Sequence, residues 1–323
     1  MAGRIRRGDL DLALAPGETV LEGLLRGGVQ VASSCRAGAC QACMLRATSG
    51  DPGPQAREGL SPAQREQGWF LSCVARPAGE LVIADGEPPA IGAEIVEVSE
   101  IGRATVRVLL APDEKLSYRP GQYVQVIDGD VVRAYSLAGL PDEGPLELHV
   151  RVHPEGRMSR MLAAARPGRR LSLRGPSGGC FYTEGQPAQP LLLVGTGTGL
   201  APLRAIARDA RRRGHTGPMV LIHGARDPGG FYLVDELKDM ARTTSDFRYV
   251  RCAMSGEPEE GVEIGDLVAV LRRLIPSLIG WRVFLCGDPG IVHTLKKQCF
   301  LRGASMREIL ADAFLTAAPP TAG

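Results

Sequence analysis

The period of the apolar pattern changes twice along this chain, and that change constrains the fold more than any single residue does. From residue 93 to about 153 short segments alternate apolar and polar side chains: EIVEVSE, ATVRVLL, YVQVIDG, VVRAYSL and LELHVRVH, broken by Pro-Gly and Gly-Asp turns. A period of two with frequent turns predicts the half-buried strands of a small antiparallel barrel. After EGQPAQP (184–190) the runs become apolar throughout, LLLVG, MVLIHG, FRYVRCAM and WRVFLCG, separated by helical stretches such as LAPLRAIARDARRRG. Strands buried on both faces and alternating with helices predict a parallel α/β sheet. Ahead of both lie strand-like pieces such as LVIAD (81–85) and a cysteine-bearing loop, closed by the breaker cluster DGEPPAIG. We therefore expect three domains, over 1–88, 92–184 and 189–318. A chain of 323 residues that is 44% hydrophobic has enough apolar material for each to bury a core.

Charge and termini narrow the function classes. The net charge of +2, with both signs interspersed, offers no basic face for a run of phosphates, so nucleic acid is not an expected partner. The N-terminal MAGRIRRGDLDLALAPGETV is interrupted by acidic residues and proline before a secretory h-region can form, and LLLV before Gly195 is far too short to span a bilayer. A cytoplasmic protein without a membrane span is the expectation, with its eight cysteines as thiols or metal ligands rather than disulfides.

Four of those cysteines stand in the pattern C-x4-C-x2-C with a remote fourth: Cys35, Cys40, Cys43 and Cys73. A 2Fe-2S cluster needs four thiolates around two irons, and this spacing is the plant-type one. The residues between Cys35 and Cys40 are mostly small, which lets a loop wrap closely, and Gly38 permits a positive φ. Three other readings stay open at this point. A zinc site usually pairs two C-x2-C knuckles where only one exists here, a thioredoxin-like dithiol accounts for Cys40 and Cys43 alone, and four unrelated buried thiols rarely cluster in this way.

In the barrel segment, RAYS (133–136) puts an arginine, an aromatic ring and a hydroxyl within four positions. Arg133 can hold a diphosphate, Tyr135 can pack on a flavin ring, and Ser136 can hydrogen-bond its N5. GRMSRML (156–162) can open a helix, so that Gly156, Met158 and Ser159 offer N–H groups and a hydroxyl to a phosphate, and GPSGGCF follows at 175–181. RAYS could equally be an exposed strand, and G-x-x-S an ordinary N-cap. LLLVGTGTGLAPLRAI (191–206) reads as strand, glycine-rich turn and helix, with Gly195, Thr196, Gly197, Thr198 and Gly199 placed to cradle a pyrophosphate, although such a turn can also be a plain strand-helix connection. VFLCGDP (283–289) brings Cys286 and Gly287 to the end of another strand, where open parallel sheets bind ligands. A lone Cys286 would read as a buried thiol, as Cys180, Cys252 and Cys299 do.

Taken in order, these motifs resemble a known family. CRAGACQAC with GWFLSCVARP (68–77) is similar to the plant-type ferredoxin module, whose β-grasp fold is then implied for the first domain. RxYS, GxxS and GPxG, followed by GTGTGLAP and CGxP, resemble the flavin-binding barrel and pyridine-nucleotide domain of the ferredoxin-NADP reductase superfamily. The whole order is similar to the three-domain oxygenase reductases. The resemblance implies that Arg133 binds flavin phosphate, that Tyr135 and Ser136 meet FAD, and that Cys286 faces the nicotinamide C4. It also implies that Phe314 of ADAF places an aromatic ring near the flavin, although nine residues follow it here.

The implied activity is hydride transfer from NAD(P)H to FAD and single-electron transfer through the cluster to a terminal oxygenase or other one-electron acceptor protein. A flavin reductase or diaphorase with a small-molecule acceptor, and a zinc-bearing adaptor, are the alternatives. Arg226 is the candidate for the adenosine side, and Asp227 beside it would repel a 2′-phosphate, favouring NADH over NADPH. Two departures stand out. Gln41 replaces the glycine usual in such loops, which implies poor cluster assembly or a different loop pose. Residues 1–90 balance nine Lys/Arg against ten Asp/Glu where free ferredoxins are acidic, as suits a module tethered to its electron source.

Overall fold

The computed structural model describes residues 3–31, 36, 43–58, 60, 62–85 and 90–314. Cys35, Cys40 and Gln41 lie outside them. Among the described residues no helix is long and apolar enough to cross a membrane. Contacts divide the chain into two compact units, Met1–Pro88 and Pro89–Gly323.

The first unit is a mixed five-stranded sheet. In chain order it comprises β1 (Arg4–Arg7), β2 (Leu10–Ala13), α1 (Val20–Arg26), β3 (Met44–Ser49), α2 (Pro62–Glu66), β4 (Trp69–Leu71) and β5 (Glu80–Ile83), with strand order β2-β1-β5-β3-β4. Only the β1–β5 pair is parallel. This is the β-grasp arrangement, with Val20 and Leu24 of α1 buried against Ile5, Phe70, Leu81 and Ile83. The helix starts where the sequence can satisfy its free donors: Glu22 N–H donates to Thr19 Oγ1, and Thr19 N–H to the Glu22 carboxylate at 2.8 Å.

The second unit opens with an antiparallel barrel of β6 (Ile91–Gly102), β7 (Thr105–Pro112), β8 (Tyr123–Asp128), β9 (Val131–Ser136), β10 (Leu146–Arg151), α3 (Arg157–Ala164) and β11 (Arg170–Ser177). Strand order is β10-β7-β6-β11-β8-β9, and a Leu137–Leu148 bridge brings the two edges together. The inward positions of the alternating pattern, such as Ile95, Val108, Leu110, Val124, Val126 and Leu148, fill its core. Strand β11 has a central place that its sequence does not announce. In RLSLRGPS only Leu171 and Leu173 alternate before Gly175 and Pro176, too short a run to establish a period of two.

The same unit continues as a parallel sheet: β12 (Leu191–Thr196), α4 (Leu200–Arg212), β13 (Met219–Ala225), α5 (Val234–Thr243), β14 (Phe247–Ala253), β15 (Val262–Ile264), α6 (Leu267–Leu274), β16 (Arg282–Gly287), α7 (Pro289–Leu301) and β17 (Ile309–Ala313). Strand order is β15-β14-β13-β12-β16-β17. Because the chain starts at β12, proceeds to one side and then returns to the other, the order reverses beside β12. Such a reversal is where open parallel sheets form a ligand crevice, here at the carboxyl ends of β12 and β16. Strands β15 and β17 escape the apolar-run criterion because VEI and ILADA carry acidic residues.

Barrel and parallel sheet belong to one contact unit, and their connection at 184–190 is tied down, with the Arg282 backbone N–H donating to the Pro190 carbonyl at 2.9 Å. Arg282 at the start of β16 is 5% exposed. It donates to Thr183 O at 2.7 Å and Thr183 Oγ1 at 3.1 Å, and its Nε–H to Glu308 at 2.5 Å. Removing a buried cation strands its partner. Arg282→Met is expected to cost about 3 kcal/mol, read as a lower midpoint in urea unfolding of the second unit.

Candidate functional site

Two glycines decide how closely the ends of β12 and β16 approach. A Cβ on Gly199 would lie 2.3 Å from the Cys286 carbonyl oxygen. One on Gly287, whose φ is +124°, would lie 2.4 Å from Thr196 Oγ1. The turn Gly197–Gly199 is therefore packed backbone to backbone against the Cys286–Gly287 strand end, and the Thr196 hydroxyl fastens it further by accepting from Asp288 N–H at 3.0 Å. Gly197, at φ +54°, has open space where a Cβ would be. The turn runs directly into α4, whose first N–H groups and positive dipole end face the crevice mouth, with Pro202 in the first turn. This cradle suits a pyrophosphate. Phe314 closes the same strand ends, its N–H donating to Gly287 O at 2.8 Å.

The barrel brings its own candidates to this crevice. Ser136, the last residue of β9, is 9% exposed and donates to Asp312 Oδ2 at 3.2 Å. Asp312 is the register partner of Cys286 across β16 and β17. Ser136, Asp312 and Cys286 are thus collected from the barrel and from two strands of the sheet. Burial pushes the Asp312 carboxyl up, while the Ser136 bond draws it down. Burial is also the main cause raising the Cys286 thiol, with Cys180 adding to it. Cys180, read from sequence as one more core thiol, is buried but stands 3.7 Å from Cys286, sulfur to sulfur. The other two thiols are inert by position: burial pushes Cys252 and Cys299 up to about 11.

Along β9, Val132, Arg133 and Ala134 face out while Tyr135 is half-buried. The Arg133 guanidinium reaches only the neighbouring Val132 carbonyl, at 2.7 Å, and burial pushes the Tyr135 phenol up to about 12. An outward strand face with a spare guanidinium, beside a depression of about 440 Å³ lined by Val131, Arg157 and Met158, suits an aromatic ring carrying phosphates. Gly156 is the N-cap of α3, and the N–H groups of its first turn have no intrahelical acceptor. The Ser159 hydroxyl accepts from His153 N–H at 3.1 Å and donates to Gly156 O at 3.2 Å, so it shapes the turn instead of pointing at a ligand. The Met158 side chain is buried in the barrel core, which leaves only its backbone for binding.

Arg226 is exposed at the end of β13 and its side chain has no partner among the described residues. Asp227 beside it does not stand as a bare negative charge. Arg103, on the β6–β7 turn, donates to both its oxygens at 2.7 and 2.8 Å, and this hydrogen bonding is the main cause holding the carboxyl below its usual range. Repulsion of a 2′-phosphate by Asp227 is correspondingly offset.

Behind the crevice lies a polar network that no motif announces. Arg204 on α4 is 9% exposed. It donates to Glu236 at 2.5 Å and to the Ala138 carbonyl at 3.1 Å, and lies 3.6 Å from Glu147 on β10. Burial alone would raise the Glu147 carboxyl, yet the His149 hydrogen bond and the Arg204 charge outweigh it and the group is held below the usual range. With Glu147 ionised, His149 Nε2–H donates to it at 2.8 Å, which leaves Nδ1 to accept from the Tyr232 hydroxyl at 3.1 Å. A signal for Arg204 did exist in the sequence. It follows Leu200 by four positions and Leu203 by one, on the face of α4 that has to be buried.

Of the four cysteines expected to hold a cluster, Cys43 and Cys73 are described. Both are buried in one apolar group with Leu21, Leu60 and Leu71. Ser72 keeps their segments together, donating to the Cys43 carbonyl from its hydroxyl at 2.7 Å and its N–H at 3.2 Å. Two soft thiol donors from separate segments in an apolar surround fit one side of an iron-sulfur centre.

Comparison with known proteins agrees with this arrangement. Residues 7–78 match the 2Fe-2S iron-sulfur cluster binding domain, 93–182 the oxidoreductase FAD-binding domain, and 193–297 the oxidoreductase NAD-binding domain. The chain is 35% identical to the reductase subunit of an aromatic O-demethylase from Amycolatopsis sp., over 94% of this chain and 95% of that one. It is 30% identical to the ferredoxin–NAD(P)+ reductase component of a naphthalene 1,2-dioxygenase system from Pseudomonas putida, over 94% and 95%. Among solved structures, a cytochrome P450 reductase from Amycolatopsis superposes with a TM-score of 0.69 at 34% identity, covering 98% of this chain and 99% of that one.

Two tests follow from this geometry. Gly199→Ala is expected to push the nucleotide turn off the Cys286 carbonyl, costing about 1–3 kcal/mol as overpacking does and weakening NAD+ binding, measured by thermal unfolding and calorimetry. His223, fully buried beneath the turn, has its imidazole pushed down by burial to about 4. It stays neutral in the fold but protonates near pH 6.5 once unfolded. Its contribution is therefore whole above pH 6.5 and falls by about 1.4 kcal/mol per pH unit down to about pH 4. Denaturation midpoints at pH 7 and pH 5 should show this loss, and His223→Leu should reduce it.

Proposed function

Because the chain belongs to the iron-sulfur flavoprotein reductases of oxygenase systems, we propose that it draws electrons from NADH in preference to NADPH. It passes them through FAD and a 2Fe-2S cluster to a terminal oxygenase component in the cytoplasm. The observation that carries this reading is the meeting, in one crevice, of the barrel's Ser136 with Asp312 and Cys286 of the sheet, beside the Gly197–Gly199 cradle. An electron relay from a dinucleotide to a flavin needs the two binding surfaces to share an edge, and the Ser136–Asp312 bond supports such an edge.

When bound, the flavin supplies conversion between two-electron hydride chemistry and the one-electron chemistry of the cluster. The chain's own residues do the placing. Arg133 and the open N–H groups at the start of α3 would hold the diphosphate, and Tyr135 would pack beside the ring system. Ser136 offers a hydroxyl at the ring edge, and its bond to Asp312 orients it. Gly195 to Gly199 hold the nucleotide pyrophosphate, Arg226 and Asp227 lie on its adenosine side, and Asp227 offers an acceptor suited to a ribose hydroxyl, which supports NADH. Cys286, buried and raised by its surroundings, stays a thiol and shapes the nicotinamide position. Phe314 shields the same strand ends from water. Cys35, Cys40, Cys43 and Cys73 would supply the four thiolates, with the acceptor protein docking over the Cys35–Cys43 loop. The modules 1–88, 92–184 and 189–318 serve as cluster, flavin and nucleotide carriers in that order.

An anaerobic visible spectrum tests the scheme. Stepwise NADH should bleach flavin bands and a broad cluster absorption together, and folded protein lacking both iron and flavin would sink the reading. Cys73→Ser should abolish cluster reduction while NADH still bleaches the flavin.

A further inference from the structure

The arginine on α4 has a task that fold stability alone does not account for. Arg204 is the fifth residue of a helix that begins at the end of the nucleotide turn. One of its hydrogen bonds goes to the carbonyl of Ala138, two residues beyond Ser136 on the flavin strand. Ala138 is itself fixed, its N–H donating to Glu147 O at 2.8 Å. The two segments that must present flavin and nicotinamide to each other are thus joined by a single guanidinium. Glu236 on α5 and Glu147 on β10 hold its fork from either side.

A second line of contacts runs parallel to the first. From Glu147 it passes to His149, whose ring meets Tyr232 edge to face at 5.4 Å, and from Tyr232 to His223 with ring centres 5.6 Å apart. His223 is the register partner of Gly195, the first glycine of the nucleotide loop. Barrel strand β10 therefore reaches the loop from below through rings and reaches α4 through charge. Planar and forked, with Nε and Nη1 held by different segments, a buried guanidinium defines both distance and angle between its partners, which an ammonium or an apolar side chain does not.

We infer that Arg204 is a positioning residue for hydride transfer, holding the nucleotide turn in register with the Arg133–Ser136 strand through Ala138 and Glu147. This rests on the NADH-to-flavin reading above. Reacting atoms have to meet within a few tenths of an ångström, so a small slip between the two segments is expected to slow the transfer by about 10- to 100-fold. Affinity for the dinucleotide, set by the turn and its glycines, is expected to change by less than about twofold, since those groups are untouched.

The test uses the full chain loaded with flavin and cluster. Arg204→Met leaves the largely buried Glu147 carboxylate, as well as the exposed Glu236, without its cation, so Arg204→Met/Glu147→Gln serves as the neutral companion and Arg204→Lys as the conservative one. Three quantities are measured: the rate of flavin bleaching after rapid mixing with NADH, NAD+ affinity by calorimetry, and the long-wavelength absorbance formed when nicotinamide lies against the flavin. Thermal midpoints control for folding.

The expected pattern is a midpoint recovered in the double variant while bleaching stays slow and the long-wavelength band stays weak, with affinity unchanged and an intermediate rate for Arg204→Lys. If Arg204→Met does not fold, Arg204→Lys alone decides by the same split between rate and affinity. The inference is overturned if the double variant bleaches at the unsubstituted rate, or if rate and affinity fall together. Should NADH fail to bleach the unsubstituted protein, the electron-transfer reading falls and takes this inference with it.

Discussion

The contact on which the second unit's site depends is one of bare backbone. Gly199 lies against the carbonyl of Cys286, and Gly287 against Thr196, with no room for a Cβ at either position. Because the ends of β12 and β16 are drawn together here, the crevice at the reversal of strand order is narrow. The glycine-rich turn, the Cys286 thiol and the Phe314 backbone all line it. Any larger residue would separate these ends and scatter the groups that the crevice collects. The resulting geometry is rigid because parallel strands buried on both faces allow little adjustment.

Around this contact the barrel and sheet are joined by a set of polar links. Ser136 bonds Asp312, Arg103 holds Asp227, Arg208 holds Glu143, and Arg204 gathers Glu236, Glu147 and the Ala138 carbonyl. Directional bonds of this kind define register, whereas apolar packing tolerates sliding. That is a reasonable division of labour for a protein that must bring two bound molecules edge to edge. The cost is the desolvation of several charges, which is offset where they are paired: Glu147 and His149 are each bonded on more than one side.

Much of the fold was legible beforehand because its parts carry different periods. The alternation in ATVRVLL or LELHVRVH can bury only one face, and LLLV or VFLC buries two, so barrel and parallel sheet separate on sight. What escaped were elements whose local sequence is too short or too polar to show a period: β11 with its Gly-Pro, and β15 and β17 with their acidic residues. Tertiary context makes them strands. The change of period at 184–190 gave no sign of Arg282, since nothing local indicates that a cation a hundred residues on will bind Thr183.

Sequence by itself determined the cofactor classes, because candidate motifs for each stand at short spacings: C-x4-C-x2-C for a cluster, RAYS for a flavin, GTGTG and CGDP for a dinucleotide. Such motifs bind through local backbone and adjacent side chains, so they survive being read in one dimension. Only the tertiary structure decided which groups accompany them. Cys180 beside Cys286, Asp312 beneath Ser136, Arg103 on Asp227 and Arg204 between two carboxylates are pairings of residues 32 to 176 positions apart, in elements whose meeting depends on where β12 stands in its sheet. It likewise decided that Ser159 and Met158 face inward. A hydroxyl or thioether in a motif states what it can do, but burial and the nearest competing partner decide what it does.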